Sequence, residues 1–247
     1  MKDWSSLPKF KSLYAPFMKK FVPKVFLALL ALAGSASAAV VVTTSVQIGD
    51  GVTPFTPTYA PQAGDLLGGL APFSSVGNFS LELSDGTPAL TNGSYPALST
   101  GTIGSHLGLA TAGNGGGAGT QLTYIFARSN VARVDVYGGW NDNGRDEQDF
   151  TIQFSTDGGL NFGSLIPSGE FNPTVGAGLQ SATLVSIRDN AGALATGVNG
   201  IRLNFSNAVE NGYTGYAEID VIAVPEPGAI GLLGLATLSL ATARRRR

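Results

Sequence analysis

The sequence predicts a mainly β protein whose central part folds as an antiparallel β-sandwich or jelly roll. Eight short runs between residues 39 and 224 are rich in β-branched and aromatic residues, and clusters of Gly, Asn, Asp, Ser and Pro separate them. No sustained helical stripe occurs in this region, so loops rather than crossover helices are expected to join the strands. Antiparallel pairing in two packed layers follows.

The predicted strands follow one another at short intervals along the chain. In order they are VVVTTSVQI (40–48), NFSLEL (78–83), QLTYIFA (121–127), VARVDVYGG (131–139), DFTIQFS (149–155), SATLVSI (181–187), GIRLNF (200–205) and YAEIDVIAV (216–224). Arg133 and Asp135 alternate with Val134 and Val136, so the sequence predicts one solvated and one buried face for each strand. Residues 49–120 contain only one of these runs and match no pattern that we can identify.

The amino-terminal segment has the three parts of a secretory signal peptide. From Met18 the chain reads MKKFVPKVFLALLALAGSASAAV, with a basic start, a short apolar helix and an A-x-A arrangement at Ala36 and Ala38. The apolar run is too short for a permanent membrane span, which favours cleavage after Ala38 over a retained anchor. A buried amphipathic helix is the alternative interpretation. Because the seventeen preceding residues make an unusually long basic leader, we expect translation to start at Met18.

The carboxyl-terminal segment, VPEPGAIGLLGLATLSLATARRRR, combines an extended triplet, an apolar helix and a basic end. Pro225, Glu226 and Pro227 cannot be helical and are expected to be accessible to an enzyme. Residues 229–243 carry no charge and would form a transmembrane helix of about 22 Å, which is short of the ~30 Å hydrocarbon core. The basic end consists of Arg244, Arg245, Arg246 and Arg247, which are expected to stay in the cytoplasm.

These three parts, in this order, resemble the PEP-CTERM family of exported bacterial proteins. The resemblance implies that an exosortase, a transpeptidase-like membrane protease, removes the tail near residues 225–227 and that the product is released or attached at the cell surface. It also implies a membrane-inserted precursor, and frequently a setting rich in exopolysaccharide. An ordinary single-span anchor is the alternative. Residues 121–224 also resemble the galactose-binding-domain-like, discoidin-type jelly roll, although no sugar-binding residue can be carried over from that resemblance.

The sequence thus divides into a leader and signal peptide (1–38), a β-sandwich domain (39–224) and a sorting signal (225–247). All six lysines lie at or before Lys24, and residues 39–226 hold sixteen acidic side chains against five arginines, a formal balance of −11. A strongly acidic domain is a poor partner for nucleic acid, because phosphate binding needs a basic surface. The expected partners are signal peptidase and exosortase during export, and exopolysaccharide or other glycans afterwards.

The most polar stretch of the domain is WNDNGRDEQDF, residues 140–150. Asp142, Asp146 and Asp149 supply carboxylate oxygens within eight positions, which suits a structural calcium ion. The spacing departs from an EF-hand loop and Arg145 lies among the acids, so a solvated hairpin loop is the alternative. Trp140, beside this loop, is a candidate platform for stacking against a sugar ring, with burial in the core as the alternative. No other cofactor is expected.

Catalytic constellations are sparse. Cysteine is absent, which excludes thiol catalysis and thiolate metal sites, and His106 stands alone without a nucleophile elbow. STDGGLNF (155–162) fits a single Asp-box, for which a hairpin turn is the simpler interpretation. The sequence therefore favours a non-enzymatic cell-surface or extracellular-matrix protein. The alternative is a secreted carbohydrate-active hydrolase that uses Asp146 or Glu147 together with Glu218.

Overall fold

The structure is a computed structural model that describes residues 39–100, 106–113, 115–206 and 211–225. The predicted signal peptide, with Ala36 and Ala38, and the tail from Glu226 to Arg247 lie outside the described residues. Nine strands are described, and all of their pairings are antiparallel. They are β1 (Val40–Ile48), β2 (Ser74–Val76), β3 (Ala110–Ala112), β4 (Gln121–Trp140), β5 (Phe150–Ser155), β6 (Ile166–Pro167), β7 (Ser181–Asp189), β8 (Ala195–Phe205) and β9 (Thr214–Ala223).

The 20-residue strand β4 organises the sandwich because its two halves have different neighbours. The first half, from Gln121, lies between β2 and β8, and β8 continues the layer to β5 and β6. The second half, ending at Trp140, lies between β7 and β9, and these lead outward to β1 and β3. Register shifts between Ile125 and Val131 mark the place where the strand passes from one layer to the other.

The main core fills the space between the two layers. Val134 and Val136 of β4 belong to the same buried cluster as Ile201 and Leu203 of β8. The two layers therefore pack face to face, as the sequence predicts for an antiparallel sandwich. Burial of these aliphatic side chains is the main source of stability in such a fold.

The opposite face of the β7–β4–β9 layer is also covered, which differs from the prediction of a solvated face. Asp135 and Tyr137 are each 4% exposed, and all of β9 as far as Val221 is buried. The covering comes from residues 49–98: Tyr59 and Tyr95 pack against Tyr137 in a second apolar cluster. The segment that matched no sequence pattern thus supplies a third layer of irregular chain over one sheet.

Most predicted strands form at their predicted places, with two exceptions. The runs 121–127 and 131–139 are one continuous strand, β4. The run 78–83 is not a strand: Leu81–Leu83 forms a 3-10 turn, in which Glu82 and Leu83 have φ values of 52° and 59°. A second 3-10 helix covers Thr87–Thr91. The alternation of Leu81, Glu82 and Leu83 resembles that of a strand, but the positive φ angles of Glu82 and Leu83 end any extended run.

Candidate functional site

Three acidic side chains from two distant parts of the chain meet on the covered face of β9. Glu218 and Asp220 are two residues apart on this strand and therefore point to the same side, where Asp65 approaches from the covering segment. One carboxylate oxygen from each residue lies within 4.8 Å of the other two. Within the described residues this is the only group of three or more His, Cys, Asp or Glu side chains with such geometry.

Backbone amides hold one oxygen of each carboxylate. The Asp65 Oδ1 atom accepts hydrogen bonds from the Leu67 and Val221 amides at 2.6 and 3.1 Å. The Glu218 Oε2 atom accepts one from the Gly93 amide at 2.8 Å. These amides belong to the covering segment and to β9, and together they fix the orientation of the acids.

The Asp220 side chain is held in the same way, since its Oδ2 atom accepts a hydrogen bond from the Gln62 amide at 2.7 Å. The second oxygen of each acid, namely Asp65 Oδ2, Glu218 Oε1 and Asp220 Oδ1, is buried and has no hydrogen-bond partner. Glu218 and Asp220 are both 0% exposed. Unsatisfied oxygens at this depth are rare in folded proteins and call for a bound group or a proton.

Burial disfavours the charged forms of these acids. Burial, together with the nearby Asp220 and Asp65 carboxylates, raises the pKa of Glu218 to about 8, although hydrogen bonds from the backbone amides lower it in part. The pKa of Asp220 rises to about 6 for the same first reason, and burial also raises the pKa of Asp65. No cationic side chain contacts the three acids among the ion pairs of the described residues. Arg133 pairs with Asp135, and its charge also interacts with Asp220.

Sequence reasoning missed this cluster. Asp65 lies 153 residues before Glu218, in the stretch that matched no pattern. One signal was present: YAEIDVIAV places two acids on one face of an otherwise apolar strand, directly before the tail. Where a strand is buried on both faces, its acidic side chains have no access to solvent. The two acids therefore indicated that a further polar or charged group would lie against them.

The loop after β4 does not gather the acids predicted for calcium. Asp142, Asp146 and Asp149 do not belong to the group of acids whose oxygens lie close enough together to share a metal ion. Calcium itself stays a prediction. The Asp142 carboxylate accepts a hydrogen bond from the Gly144 amide at 2.9 Å, which closes a local turn. Asp146 is 1% exposed and is thus part of the interior rather than of a solvated hairpin tip.

Trp140 is not an exposed platform, so that prediction is wrong. Its side chain is 2% exposed, and the His106 ring stacks on it with centroids 3.8 Å apart and an interplanar angle of 16°. His106 is oriented by a 2.9 Å contact between its Nδ1 atom and the side-chain Nδ2 atom of Asn141. Burial lowers the pKa of His106, which favours the neutral ring in this stack.

Arg145 links this aromatic pair to the neighbouring turn. Its guanidinium lies 4.0 Å from the ring centroid of Tyr213 and 5.4 Å from that of Trp140, and it forms an ion pair with Glu82. The Tyr213 hydroxyl donates a 2.8 Å hydrogen bond to the same carboxylate. The positive φ of Glu82 is therefore held by side-chain contacts, and we interpret this group as a structural clamp.

The Asp-box sequence forms the predicted hairpin turn after β5. The Asp157 carboxylate accepts hydrogen bonds from the Asn161 amide at 2.9 Å and from the Ser155 hydroxyl at 2.8 Å. Gly158 and Gly159 have φ values of 74° and 83°, which residues other than glycine rarely adopt. Hydrogen bonds to its ionised form lower the pKa of Asp157 to about 2. These contacts explain the motif without a ligand.

The carboxylates of the hydrolase alternative are not placed in an open cleft. Asp146 and Glu147 are each 1% exposed, and Glu218 is grouped with Asp65 and Asp220 rather than with either of them. A glycosidase needs two carboxyl groups on either side of a bound sugar. This geometry gives no support to that alternative.

The sorting signal begins where the described fold ends. The Val224 amide donates a 2.8 Å hydrogen bond to the Asn130 carbonyl, and Pro225 is exposed. Glu226, Pro227 and the arginines Arg244–Arg247 lie outside the described residues, as does the predicted span at 229–243. No helix among the described residues is long and apolar enough to cross a membrane.

The chain is similar to known proteins in two comparisons, one over most of its length and one over its tail. Among solved structures, the chain resembles the family 32 carbohydrate-binding module from C. perfringens NanJ in complex with galactose, with 11% sequence identity over 73% of this chain and 92% of that chain and a TM-score of 0.37. No curated protein matches the sequence. Residues 223–247 match the family described as the PEP-CTERM protein-sorting motif. The predicted sorting motif is thus confirmed, and the chain ends in the signal that marks PEP-CTERM exported proteins.

Proposed function

We propose that this protein is an exported, non-enzymatic protein of the cell surface or extracellular matrix, and that an exosortase-type system processes its tail. The sorting motif carries this proposal, because its match begins at Ala223, the last residue of β9. A cut within residues 225–227 would leave all nine described strands in the product. The sandwich is then the part that acts outside the cell, and the tail serves only in sorting.

The position of the motif supports processing of an already folded domain. β9 is an inner strand that pairs with both β3 and β4, and the main-chain contact at Val224 extends its attachment by one residue. Pro225, the first residue of the triplet, is exposed directly after it. A protease that acts at Pro225 would therefore not have to unfold the sheet.

Association with exopolysaccharide or another glycan is the second part of the proposal. Its support is the setting that the sorting motif implies together with the lysine-free, acidic domain. Because the Trp140 ring is buried, this part assigns no residue to sugar stacking. A glycan array probed with the exported protein tests it, and an array without any reproducible signal would remove glycan binding from the proposal.

The experiment for the first part replaces the triplet. Pro225→Ala, Glu226→Ala and Pro227→Ala together should yield an uncleaved form that stays in the membrane fraction of the native host, because the apolar span and the arginines remain. Ser164→Ala, at an exposed position between β5 and β6, is the control and should be processed like the unmodified chain. Normal release of the triple variant would contradict processing at this place.

A further inference from the structure

We propose that the free edge of β1 joins two copies of this chain into a symmetric dimer. β1 is the outermost strand of its layer: it pairs with β7 on one side, and no strand of the described residues pairs with its other side. This unpaired side is the free edge. The dimer goes beyond the proposed function, which concerns export and processing and assigns no contact between copies.

The free edge presents the main-chain groups of the even-numbered residues of β1. The register with β7 is continuous along the whole strand. Just before the strand, the Asn190 amide donates to the Ala39 carbonyl at 3.1 Å. Just after it, the Gly49 amide donates to the Gln180 carbonyl at 2.9 Å. Because every second residue of an antiparallel strand exchanges hydrogen bonds with its partner, the odd-numbered residues bond to β7 and the even-numbered residues point their amides and carbonyls away from it.

The sequence of β1 lacks the features that protect an exposed edge. Natural proteins guard such edges with lysine or other charged residues, with proline, or with a bulge. VVVTTSVQI has no charged residue and no proline, and its pairing with β7 shows no register shift. Three apolar side chains are also exposed: Val40 at 47%, Val46 at 37% and Ile48 at 44%. An uncharged, regular edge of nine residues is suited to pairing with another strand.

The occupant is a second copy because β1 is complementary to itself. A two-fold axis through Thr44 pairs two β1 strands antiparallel, so that residues equally distant from Thr44 lie opposite each other. The opposed pairs are Thr44 with Thr44, Thr43 with Ser45, Val42 with Val46, Val41 with Gln47 and Val40 with Ile48. Hydroxyl residues thus meet at the centre, β-branched apolar residues meet on one face, and no like charges oppose each other. Cross-strand pairs of this kind stabilise a sheet.

This register satisfies the main chain and the exposed side chains together. Thr44 is an even-numbered residue, so the axis lies on a pair that exchanges hydrogen bonds, and the two edges gain about ten main-chain hydrogen bonds. The even-numbered side chains share one face of β1, on which Val42 packs against the main core. Val40, Val46 and Ile48 therefore lie at the rim of that core, where the same row of the second copy would cover them. A register shifted by one residue would oppose even-numbered to odd-numbered residues and lose these hydrogen bonds.

Contacts within one copy hold β1 extended on its other face. The Ser45 Oγ atom lies 2.9 Å from the Tyr59 hydroxyl oxygen, and the Thr58 amide donates a 2.8 Å hydrogen bond to Gln47 Oε1. Pairing at the free edge leaves these contacts with the covering segment in place. The edge is therefore organised for pairing before a second copy binds, which lowers the entropic cost of association.

The first test is a crosslink in protein recovered from its own host, with the intact mass recorded on the same sample. Because the chain has no cysteine, Thr44→Cys introduces a single thiol. The two Thr44 Cα atoms would lie about 5.5 Å apart, so a short bismaleimide should convert most of this variant into a covalent dimer at micromolar concentration. Ser164→Cys, at an exposed position between β5 and β6, is the matched control and should give at least tenfold less dimer.

Sedimentation velocity measures the same contact without a crosslinker. The unmodified protein should dimerise with a Kd of about 1–100 μM. Thr44→Lys, which sets two lysines against each other at the axis, should weaken dimerisation at least tenfold, whereas Ser164→Lys adds the same charge elsewhere and should not. Since the domain is strongly acidic and the edge is uncharged, sodium chloride should tighten the dimer by screening the repulsion between copies.

Three results would overturn the proposal. These are a protein that stays monomeric throughout this range, a Thr44→Cys variant that crosslinks no more than Ser164→Cys, and a Thr44→Lys variant that dimerises like the unmodified protein. Misfolding is controlled by circular dichroism, which should give the same spectrum for Thr44→Lys and Ser164→Lys. The intact mass reports processing separately, so a monomeric result leaves the proposed export and processing untouched.

Discussion

The buried Glu218 should make the stability of the metal-free protein fall as pH rises. Its pKa is about 8 in the folded state, against 4.5 for an ordinary glutamate, because burial penalises the ionised form. Between these two values the folded chain binds a proton that the unfolded chain does not bind. The free energy of unfolding therefore has its full value below about pH 4.5, decreases between 4.5 and 8, and levels off above 8.

The size of this effect follows from the same two pKa values. Each pKa unit corresponds to about 1.4 kcal/mol, so the difference for Glu218 corresponds to a loss of about 5 kcal/mol across the window. Asp220, with a pKa of about 6, adds to the loss in the lower part of the window. Above about pH 6.5 the remaining slope belongs mainly to Glu218.

Urea unfolding at a series of pH values from 5 to 9, in metal-free buffer, measures this loss. Glu218→Gln should flatten the profile between about pH 6.5 and 8.5, and should be more stable than the unmodified chain at pH 8.5. Glu170→Gln, an exposed control, should keep the slope of the unmodified chain. Parallel profiles for the unmodified chain and Glu218→Gln would refute the placement of an uncompensated carboxyl group in this interior.

Three further predictions concern packing, and urea unfolding checks each of them. Gly215→Ala should cost about 3 kcal/mol, since its Cβ atom would overlap the Gly139 carbonyl oxygen and the Trp140 ring, whereas Gly117→Ala, with φ of 78° in open space, should cost only about 1 kcal/mol; equal losses would contradict this packing. Trp140→Ala should cost about 3–5 kcal/mol, because it removes a buried ring and leaves a cavity. A loss below about 1 kcal/mol would contradict the burial of this ring. Arg145→Ala should cost about 2 kcal/mol, because it removes the contacts with Glu82 and the aromatic rings. An unchanged free energy of unfolding would contradict the interpretation of these contacts as a structural clamp.

The strands could be predicted from the sequence wherever local pattern and tertiary environment agree. The run 40–48 forms β1 with the predicted bounds, and the run 181–187 lies within β7. The prediction fails at 78–83, where the contacts of Glu82 with Arg145 and Tyr213 stabilise a turn that its strand-like alternation conceals. Those contacts span more than sixty residues, so no local pattern contains them.

The faces of the central strands could not be predicted, because the covering layer is irregular. Alternation along β4 correctly separates Val134 and Val136 from Asp135 and Tyr137. It does not show that residues 49–98 shield the second face, since that segment packs through side chains such as Tyr59 and Tyr95 rather than through a periodic strand. The cluster of Asp65, Glu218 and Asp220 depends on this shielding, so the sequence pattern pointed to the acid-rich loop at 142–149 instead.

The most direct test of the account is the covalent form of the protein made in its own host. Intact mass measurement and terminal sequencing of the surface and culture fractions should find a chain that begins near Ala39 and ends within residues 225–227, so that it retains β9 and lacks Arg244–Arg247. That result would establish export with removal of both signals. A surface or released form that still carries the four arginines would contradict the account.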